Sequence, residues 1–249
     1  MSPHTSTTQD DAVLTLDEVS IEFGGITALD GVTFDVRAGQ ICGLIGPNGA
    51  GKTTLFNCIT RIYQPSSGRI SWQGSDLLKL RPHALASAGI ARTFQNLALF
   101  GGMTVFENTM AGGSSVKGGK RQMRDRAWAL IERLELVDVA DHHAAGLPFG
   151  TLKRVELARA LISKPSLVLL DEPAGGLTHA EVNELGRLIV GLKKDFGFSA
   201  LLVEHHMGLV MGICDHVVAM DFGRTIADGT AAEVQQDPAV AAAYLGRTA

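Results

Sequence analysis

The sequence predicts an α/β domain with a mostly parallel sheet, an N-terminal antiparallel β layer and an inserted block of helices. Three observations lead to this prediction. Apolar residues alternate with polar ones near the N-terminus, later segments are almost continuously apolar, and a middle segment carries apolar residues at helical spacing. The 249 residues, 45% of them hydrophobic, are enough to bury a full core.

The N-terminal part has the period of half-buried strands. Apolar side chains recur at about every second position in Val13 to Phe23, in Val32 to Val36 and again in Ile70 to Trp72. The segment Ile41 to Ile45 is apolar throughout, as expected for a strand covered on both faces. We therefore expect an N-terminal layer of several short antiparallel strands and, in addition, one buried strand that belongs to a parallel sheet.

The middle of the chain has the period of helices. Apolar residues stand on one helical face at Met123, Ala127, Leu130, Ile131 and Leu134. Gly112 to Lys120, rich in Gly, Ser and Lys, predicts a mobile loop before them. We expect residues 96–162 to form a helical subdomain, inserted into a core made of residues 12–95 and 163–235.

The last third returns to strands and helices in alternation. Two apolar segments, Leu167 to Leu170 and Ala200 to Val203, flank a helical pattern from Val182 to Leu192, which predicts a parallel strand–helix–strand unit. Asp221 to Arg224 predicts a hairpin turn. Asp237 before Pro238 is typical of a helix start. Residues 236–249 are thus expected to form a C-terminal helix and tail, and residues 1–11 a polar N-terminal tail.

Composition narrows the possible partners and compartment. The formal net charge is −4, and the basic run from Lys117 to Arg126 is expected on a solvated helix face, so nucleic acid is not expected as a partner. Cys42, Cys58 and Cys214 lie in apolar segments, as buried thiols do in a reducing compartment. The apolar runs are shorter than the ~18 residues of a membrane span. We expect a cytoplasmic chain whose contact with a membrane comes through a partner.

One motif carries most of the chemistry. Gly46, Pro47, Asn48, Gly49, Ala50, Gly51, Lys52 and Thr53 match the phosphate-binding loop G-x-x-x-x-G-K-[ST], and Thr54 follows. The loop comes after an apolar strand and before a helix, which is the context that the motif requires. Its backbone N–H groups are expected to surround the phosphates of ATP, with Lys52 on the β- and γ-phosphates and the Thr53 hydroxyl on Mg²⁺. The core is therefore a P-loop NTPase core.

Two carboxylates end a later strand. Asp171 and Glu172 follow Leu167 to Leu170, at the strand end where open α/β sheets bind ligands. Asp171 is suited to hold Mg²⁺, directly or through water, and Glu172 to orient and deprotonate the attacking water. Alone, such a pair is as often a solvated turn; after a phosphate loop it indicates an ATPase. Gln95 and His205 are ambiguous by themselves, as a surface residue and a strand-end histidine.

The order of these motifs resembles the ATPase subunit of ABC transporters. The order is phosphate loop, Gln95, a stretch ending at Leu161, the pair Asp171-Glu172, and then His205, and it covers the chain from about Val13 to Leu245. Shorter stretches are similar to the branched-chain amino-acid uptake ATPases. These stretches include Phe23-Gly24-Gly25, Ala91-Arg92-Thr93-Phe94-Gln95, Glu204-His205 and Asp237-Pro238-Ala239-Val240.

The resemblance implies roles for single residues. Phe23 would stack on adenine, Gln95 would touch Mg²⁺ or the catalytic water and report the nucleotide state to a membrane subunit, and His205 would contact the γ-phosphate. It also implies an L-shaped domain that closes with a second ATPase, head to tail, over two ATP molecules. Two transmembrane permease subunits, and indirectly a substrate-binding protein, would complete an importer of branched-chain amino acids or related amides.

Several positions depart from the family pattern. The signature L-S-G-G-Q corresponds to Leu147-Pro148-Phe149-Gly150-Thr151, where Pro148 offers neither a hydroxyl nor an N–H to the γ-phosphate. Thr178 stands where an aspartate or asparagine is usual, and His206 stands where an aspartate is frequent. We therefore expect a heterodimer in which the partner supplies an intact signature, with a homodimer as the alternative. Two other functions stay open from the residues: the ATPase of a lipid or polysaccharide exporter, and a soluble ATPase that docks no permease.

Overall fold

The computed structural model describes residues 11–94, 97–114 and 119–245. The strands in these ranges are β1 Ala12–Phe23, β2 Ile26–Arg37, β3 Ile41–Ile45, β4 Ser67–Trp72, β5 Ser75–Asp76, β6 Ile90–Arg92, β7 Leu167–Asp171, β8 Ser199–Val203, β9 His216–Asp221 and β10 Arg224–Gly229. The helices are α1 Lys52–Ile59, α2 Val105–Ala111, α3 Lys120–Arg133, α4 Phe149–Leu161, α5 His179–Phe196, α6 Met207–Ile213, α7 Ala231–Gln236 and α8 Pro238–Leu245. The predicted N-terminal tail lies almost wholly outside the described residues.

A four-stranded antiparallel layer forms the first sheet, in the order β2-β1-β4-β5. The expectation of short strands was wrong here, because β1 and β2 each run for 12 residues. Glu18 in β1 has a left-handed φ of 52°, and the pairing with β2 shifts between Leu16 and Val19. Because of this bulge, the next buried residue after Leu16 is Val19, three positions on and not two. The strand therefore continues although the alternation is interrupted.

The second sheet has six strands in the order β10-β9-β3-β8-β7-β6. Strands β9, β3, β8, β7 and β6 pair in parallel, and β10 pairs antiparallel with β9. All five residues of β3, of β7 and of β8 are buried, which agrees with the apolar runs predicted there and adds the polar residues Asp171 and Ser199. The predicted strand–helix–strand unit is β7–α5–β8. Parallel strands end at one edge, which brings the phosphate loop, Asp171 and His205 to the same side.

Helices α2, α3 and α4 lie between β6 and β7 in the chain, where the helical block was predicted. Apolar residues of α3 pack against α4 around Val155 and Ala158. The predicted face is buried at Met123, Ala127, Leu130, Ile131 and Leu134. The fold class is confirmed, and the limits 96–162 stay a prediction. Only residues 112–114, 119 and 120 of the predicted Gly112–Lys120 loop are described.

The β9–β10 hairpin connects the two sheets beside the phosphate loop. Its turn contains Gly223, whose oxygen accepts a hydrogen bond from Asp30 N (2.9 Å) and whose N–H donates to Ala50 O (3.1 Å). Arg224 Nε adds a bond to Asp30 Oδ2 at 2.7 Å. The antiparallel layer, the phosphate loop and the parallel sheet therefore meet at one turn, which was predicted as a hairpin.

Two further expectations can be compared with the structure. Cys42 and Cys58 are buried and Cys214 is partly buried, and all three thiols are free. Asp237 Oδ1 accepts from Ala239 N at 2.7 Å, so Asp237 caps α8 as predicted. No helix in the described part of the chain is long and apolar enough to span a membrane.

Candidate active site

The phosphate loop joins β3 to α1 with its lysine folded inward. Lys52 is buried, and its Nζ donates to Gly46 O at 2.6 Å and to Pro47 O at 3.0 Å. Helix α1 begins at Lys52 after Gly51, and no side chain caps its N-terminus. The backbone N–H groups at this helix start and the Lys52 ammonium can therefore bind an anion together.

Two glycines of the loop are required by their surroundings. A Cβ at Gly46 would lie 2.2 Å from Met220 O, which is far inside van der Waals contact. A Cβ at Gly51 would lie 2.7 Å from Ala28 O, and the φ of Gly51 is 101°. The loop is thus pressed between β9 and β2, and its sequence follows from that packing as well as from phosphate binding.

Glu172 faces the phosphate loop across one cavity. The cavity has a volume of about 310 Å³ and is lined by the loop residues Asn48 to Thr54, by Ile26 to Ala28 and by Glu172. Glu172 holds a left-handed φ of 45°, and its N–H donates to Val203 O at 2.9 Å. The strand ends therefore bring Glu172 and Lys52 together, although they are far apart in sequence.

Asp171, the residue before Glu172, is not among the residues that line this cavity and is paired with an arginine. Asp171 Oδ2 is 2.8 Å from Arg92 Nη2, and both side chains are about nine-tenths buried. Asp171 N donates to Thr93 Oγ1 at 3.2 Å. Residue patterns alone assign Arg92 no separate role, because its partner becomes visible only when β6 is placed beside β7.

His205 and a buried carboxylate follow β8. His205 Nδ1 lies 3.9 Å from Glu172 Oε2, and the His205 side chain is 59% exposed. Glu204 is fully buried, and its Oε2 accepts from the backbone N–H groups of His205 and His206, each at 3.1 Å. Its Oε1 accepts from Ala174 N at 2.7 Å. Sequence reasoning assigned Glu204 no task, although a carboxylate that ends an apolar strand was a visible signal.

The signature segment leads into α4, which reaches the carboxylates from the other side. Pro148 occupies the N-cap position of α4, and its side chain makes no capping hydrogen bond. Lys153 is buried, its Nζ lies 5.3 Å from the Phe149 ring centre, and it has no hydrogen-bond partner among the described residues. Burial lowers the pKa of Lys153, while Glu156 and Glu204 act in the opposite direction.

Glu156, one turn further along α4, is a buried carboxyl like Asp171 and Glu204. Burial raises its pKa to about 7, against the opposing effects of a backbone hydrogen bond and of Lys153. The hydrogen bond comes from Phe94 N, 2.7 Å from Glu156 Oε1. Glu156 therefore holds the backbone at Phe94, which follows β6, and sequence analysis did not single it out.

The positions of three further predicted residues, Phe23, Thr53 and Gln95, can be stated one by one. Phe23 ends β1 and packs edge-on against Tyr63, with ring centres 5.0 Å apart; it is 43% exposed and does not line the cavity. Thr53 is exposed at the start of α1. Gln95 lies outside the described residues.

The positions that depart from the family pattern have clear local structures. Thr178 caps α5 in a capping box, in which Thr178 N donates to Glu181 Oε2 at 2.8 Å. His206 precedes α6 without a capping hydrogen bond, as the loss of an aspartate predicts. The His206 ring packs edge-on against His179 at 5.3 Å.

An apolar groove lies between the sheet and the helical block. It has a volume of about 490 Å³ and is lined by residues of both parts, among them Ile62, Leu85, Arg92, Phe94, Phe100 and Arg159. Phe94 and Phe100 are 41% and 51% exposed. Arg159 donates to Leu97 O at 3.0 Å, which joins α4 to the groove wall.

Comparison with known families identifies the chain. A family model described as ABC transporter matches residues 29–175, which include the phosphate loop, the signature segment and both carboxylates. The chain belongs to the ABC transporter ATPase family. A second model, described as branched-chain amino acid ATP-binding cassette transporter, matches residues 224–249 of this ABC ATPase.

Curated relatives and solved structures are similar along nearly the whole ABC ATPase. The branched-chain amino acid transport ATP-binding protein BraF of Pseudomonas aeruginosa is 37% identical over 94% of this chain and 98% of its own length. LivG of Salmonella typhimurium is 38% identical with the same coverage. The ADP conformation of MJ1267, an ABC transporter cassette, has a TM-score of 0.85 and 30% identity over 95% of this chain and 99% of its own.

These comparisons confirm the ATPase prediction. This ABC ATPase is an ATP-binding and ATP-hydrolysing subunit of a transport system. The two alternatives, an exporter of lipid or polysaccharide and a soluble ATPase without a permease, are not favoured, since BraF and LivG are named for amino-acid transport.

Proposed function

We propose that this ABC ATPase drives the import of branched-chain amino acids through separate membrane subunits. The observation that carries the ATPase chemistry is the single cavity shared by the loop residues Asn48 to Thr54 and Glu172. The cargo rests on the relatives BraF and LivG, which are named as branched-chain amino acid transport proteins. Related small amino acids or amides would use the same ATPase.

The proposed chemistry divides the work among a few side chains. Lys52 and the loop N–H groups hold the β- and γ-phosphates, and Glu172 orients the attacking water and takes its proton. His205, 3.9 Å from Glu172, contacts the γ-phosphate and holds Glu172 in place. Phe23 stacks on adenine, and Gln95 contacts the metal or the water.

Mg²⁺ fits the side chains at the strand ends. Asp171 and the Thr53 hydroxyl supply hard oxygen ligands. The Asp171 carboxylate already forms an ion pair with the Arg92 guanidinium, so it lies in a setting that suits a cation. Mg²⁺ usually takes one or two protein oxygens together with phosphate oxygens. When bound, the ion neutralises charge that develops on the transferred phosphoryl group.

The apolar groove is the proposed contact with a permease. Its exposed rings, Phe94 and Phe100, suit an apolar cytoplasmic segment of a membrane subunit. Phe94 directly precedes Gln95, so this contact would lie beside a residue of the ATP site. The ATPase would then sit peripherally on the cytoplasmic face of the membrane, and a substrate-binding protein would act through the permease.

The dimer is proposed to be asymmetric. Pro148 places no hydroxyl and no N–H at the start of α4. This signature therefore has fewer hydrogen-bond donors for a γ-phosphate than an intact signature. A second ATPase with an intact signature would complete the phosphate loop of this chain. One of the two ATP sites would then turn over faster than the other.

Reconstitution tests the cargo. The full complex, in which this chain is combined with its second ATPase, its permease subunits and the substrate-binding protein, is placed in vesicles and supplied with ATP on the side that this chain faces. We expect ATP-dependent uptake of labelled leucine, lost in Lys52→Ala. Uptake of neither leucine nor related amides, in vesicles that hydrolyse ATP, would refute the cargo while leaving the ATPase intact.

The asymmetry has its own test in the same complex. Glu172→Gln is compared with the corresponding change in the second ATPase. We expect the change in this chain to stop most turnover, because the fast site uses this chain's Glu172. Equal losses from both changes would contradict an asymmetric dimer.

A further inference from the structure

Arg92 connects the active site with the apolar groove. Its Nη2 is 2.8 Å from Asp171 Oδ2, and the same side chain forms part of the groove wall. Among the described residues this ion pair is the one that places a cation directly on a proposed metal ligand. A change at the groove that moves Arg92 therefore acts on Asp171.

The guanidinium is held at both Nη atoms, whereas the buried Nε has no hydrogen-bond partner among the described residues. Nη1 donates to Asn57 Oδ1 at 2.9 Å and to Thr60 Oγ1 at 3.0 Å, which fixes the plane of the group. Its Cζ lies 5.6 Å from the Phe56 ring centre and 5.3 Å from the Phe94 ring centre. Phe56 is buried in the core, whereas Phe94 is open to the groove. Of the two rings that contact Arg92, Phe94 is therefore the one that a segment docked in the groove can reach.

We propose that Arg92 is a positioning residue that competes with Mg²⁺ for Asp171 and relays the state of the apolar groove to that carboxylate. The proposal rests on the metal role proposed for Asp171. An oxygen that accepts from Arg92 is less available to a metal ion, and the guanidinium repels a second cation nearby. When a segment in the groove displaces Phe94, Arg92 loses one of its two ring contacts and releases Asp171 more easily.

Metal affinity tests the competition without relying on turnover. Mn²⁺ replaces Mg²⁺ as a paramagnetic probe, and its binding to the full chain with a non-hydrolysable ATP analogue is measured by electron paramagnetic resonance. We expect Arg92→Gln to bind Mn²⁺ on the order of tenfold more tightly, because a cation near the site is removed. Arg92→Lys, which keeps the charge, stays near the wild type. Unchanged or weaker binding in folded Arg92→Gln overturns the proposal.

A melting experiment covers the loss of a buried ion pair. Arg92→Gln leaves Asp171 buried without its cation, so the variant should unfold at a lower temperature than the wild type. Adding Mn²⁺ and the ATP analogue should raise the melting temperature of Arg92→Gln by more than it raises that of the wild type. An equal effect of Mn²⁺ on both proteins contradicts the proposal.

Two groove variants test the relay. Phe94→Ala removes the ring beside Arg92 and should tighten Mn²⁺ binding about threefold. Phe100→Ala removes a ring of the same groove for which no contact with Arg92 is found among the described residues, and should leave Mn²⁺ binding unchanged. The same result for both variants overturns the relay. Because neither variant removes the buried ion pair, this comparison still tests the proposal if Arg92→Gln does not fold.

Asp171→Asn separates this inference from the function on which it rests. If Asp171→Asn binds Mn²⁺ as tightly as the wild type, the proposed metal role of Asp171 is wrong. If Asp171→Asn weakens binding but Arg92→Gln leaves it unchanged, the metal role survives and the role of Arg92 fails.

Discussion

His205 Nδ1 lies 3.9 Å from Glu172 Oε2, and Glu172 lines the cavity that contains the phosphate loop. The two side chains come from the ends of the neighbouring strands β8 and β7. An imidazole at this distance can orient the carboxylate and still reach a γ-phosphate. This relationship makes separate predictions for the two residues.

Glu172→Gln should remove the base and keep the shape of the cavity. We expect kcat for ATP hydrolysis to fall roughly 10²- to 10⁴-fold, with ATP binding retained. Steady-state hydrolysis and equilibrium nucleotide binding are measured in the reconstituted complex. Glu132→Gln, an exposed carboxylate of α3, is the control, and a similar loss there would show that the effect is general.

His205→Ala should impair hydrolysis through the γ-phosphate and through Glu172. We expect kcat to fall about 10²-fold with a smaller change in KM, since the residue acts after ATP is bound. Combining His205→Ala with Glu172→Gln should cost less than the sum of the two effects. Full additivity in this double-mutant cycle would mean that the two side chains act independently.

Glu204→Gln should loosen the segment that carries His205. The Glu204 carboxylate accepts from Ala174, His205 and His206, whereas an amide presents a donor to at least one of these N–H groups. We expect a loss of roughly 1–3 kcal/mol in the free energy of unfolding, measured by urea denaturation, together with a lower kcat. Wild-type stability would show that the three hydrogen bonds are not needed.

Glu156 gives a pH-dependent prediction. Because burial raises its pKa to about 7 from 4.5, the folded chain binds a proton that the unfolded chain has released between these values. The contribution of the Glu156 proton to the free energy of unfolding is therefore complete below about pH 4.5 and is lost as the pH rises to 7. Glu156→Gln should remove this part of the slope and be more stable than the wild type at pH 8, by up to about 3 kcal/mol.

The measurement is urea unfolding at pH 5 and pH 8 for both proteins. Glu181→Gln serves as the control, because Glu181 is an exposed carboxylate whose pKa is lowered by its bonds to Thr178. A parallel pH profile for the wild type and Glu156→Gln would contradict the raised pKa of Glu156.

Gly46→Ala should disrupt the phosphate loop by backbone crowding. Its Cβ would lie 2.2 Å from Met220 O, so β9 or the loop must move. We expect a loss of about 3 kcal/mol or more in stability, and loss of ATP binding. Gly212→Ala in α6, where a Cβ meets open space, should be neutral or slightly stabilising. Thermal unfolding of both variants checks this difference, and equal melting temperatures would contradict it.

Periodicity and motif order predicted much of this molecule. The buried strands β3, β7 and β8 were visible as apolar runs, and the buried face of α3 followed from helical spacing. Each of these signals is local in the chain. The long strand β1 was not predicted, because the bulge at Glu18 shifts its alternation by one residue.

The polar surroundings of the candidate site could be predicted only in part. Lys52, Asp171 and Glu172 belong to motifs whose chemistry is readable from residue order. Arg92 and Lys153 reach the same region from β6 and α4, and their partners depend on which elements are neighbours. Sequence spacing contains no information about such contacts between distant segments.

The bond of Gly223 to Ala50, and that of Asp30 to Gly223, have a mechanical consequence. Three separate stretches of chain share hydrogen bonds at the turn that touches the phosphate loop, so a displacement of one is transmitted to the others. The two sheets should thus travel as one stiff block when nucleotide arrives. The helical block, which shares an apolar core with Val168 and Leu170 of β7 around Val155, is then the part left to bend relative to the sheets.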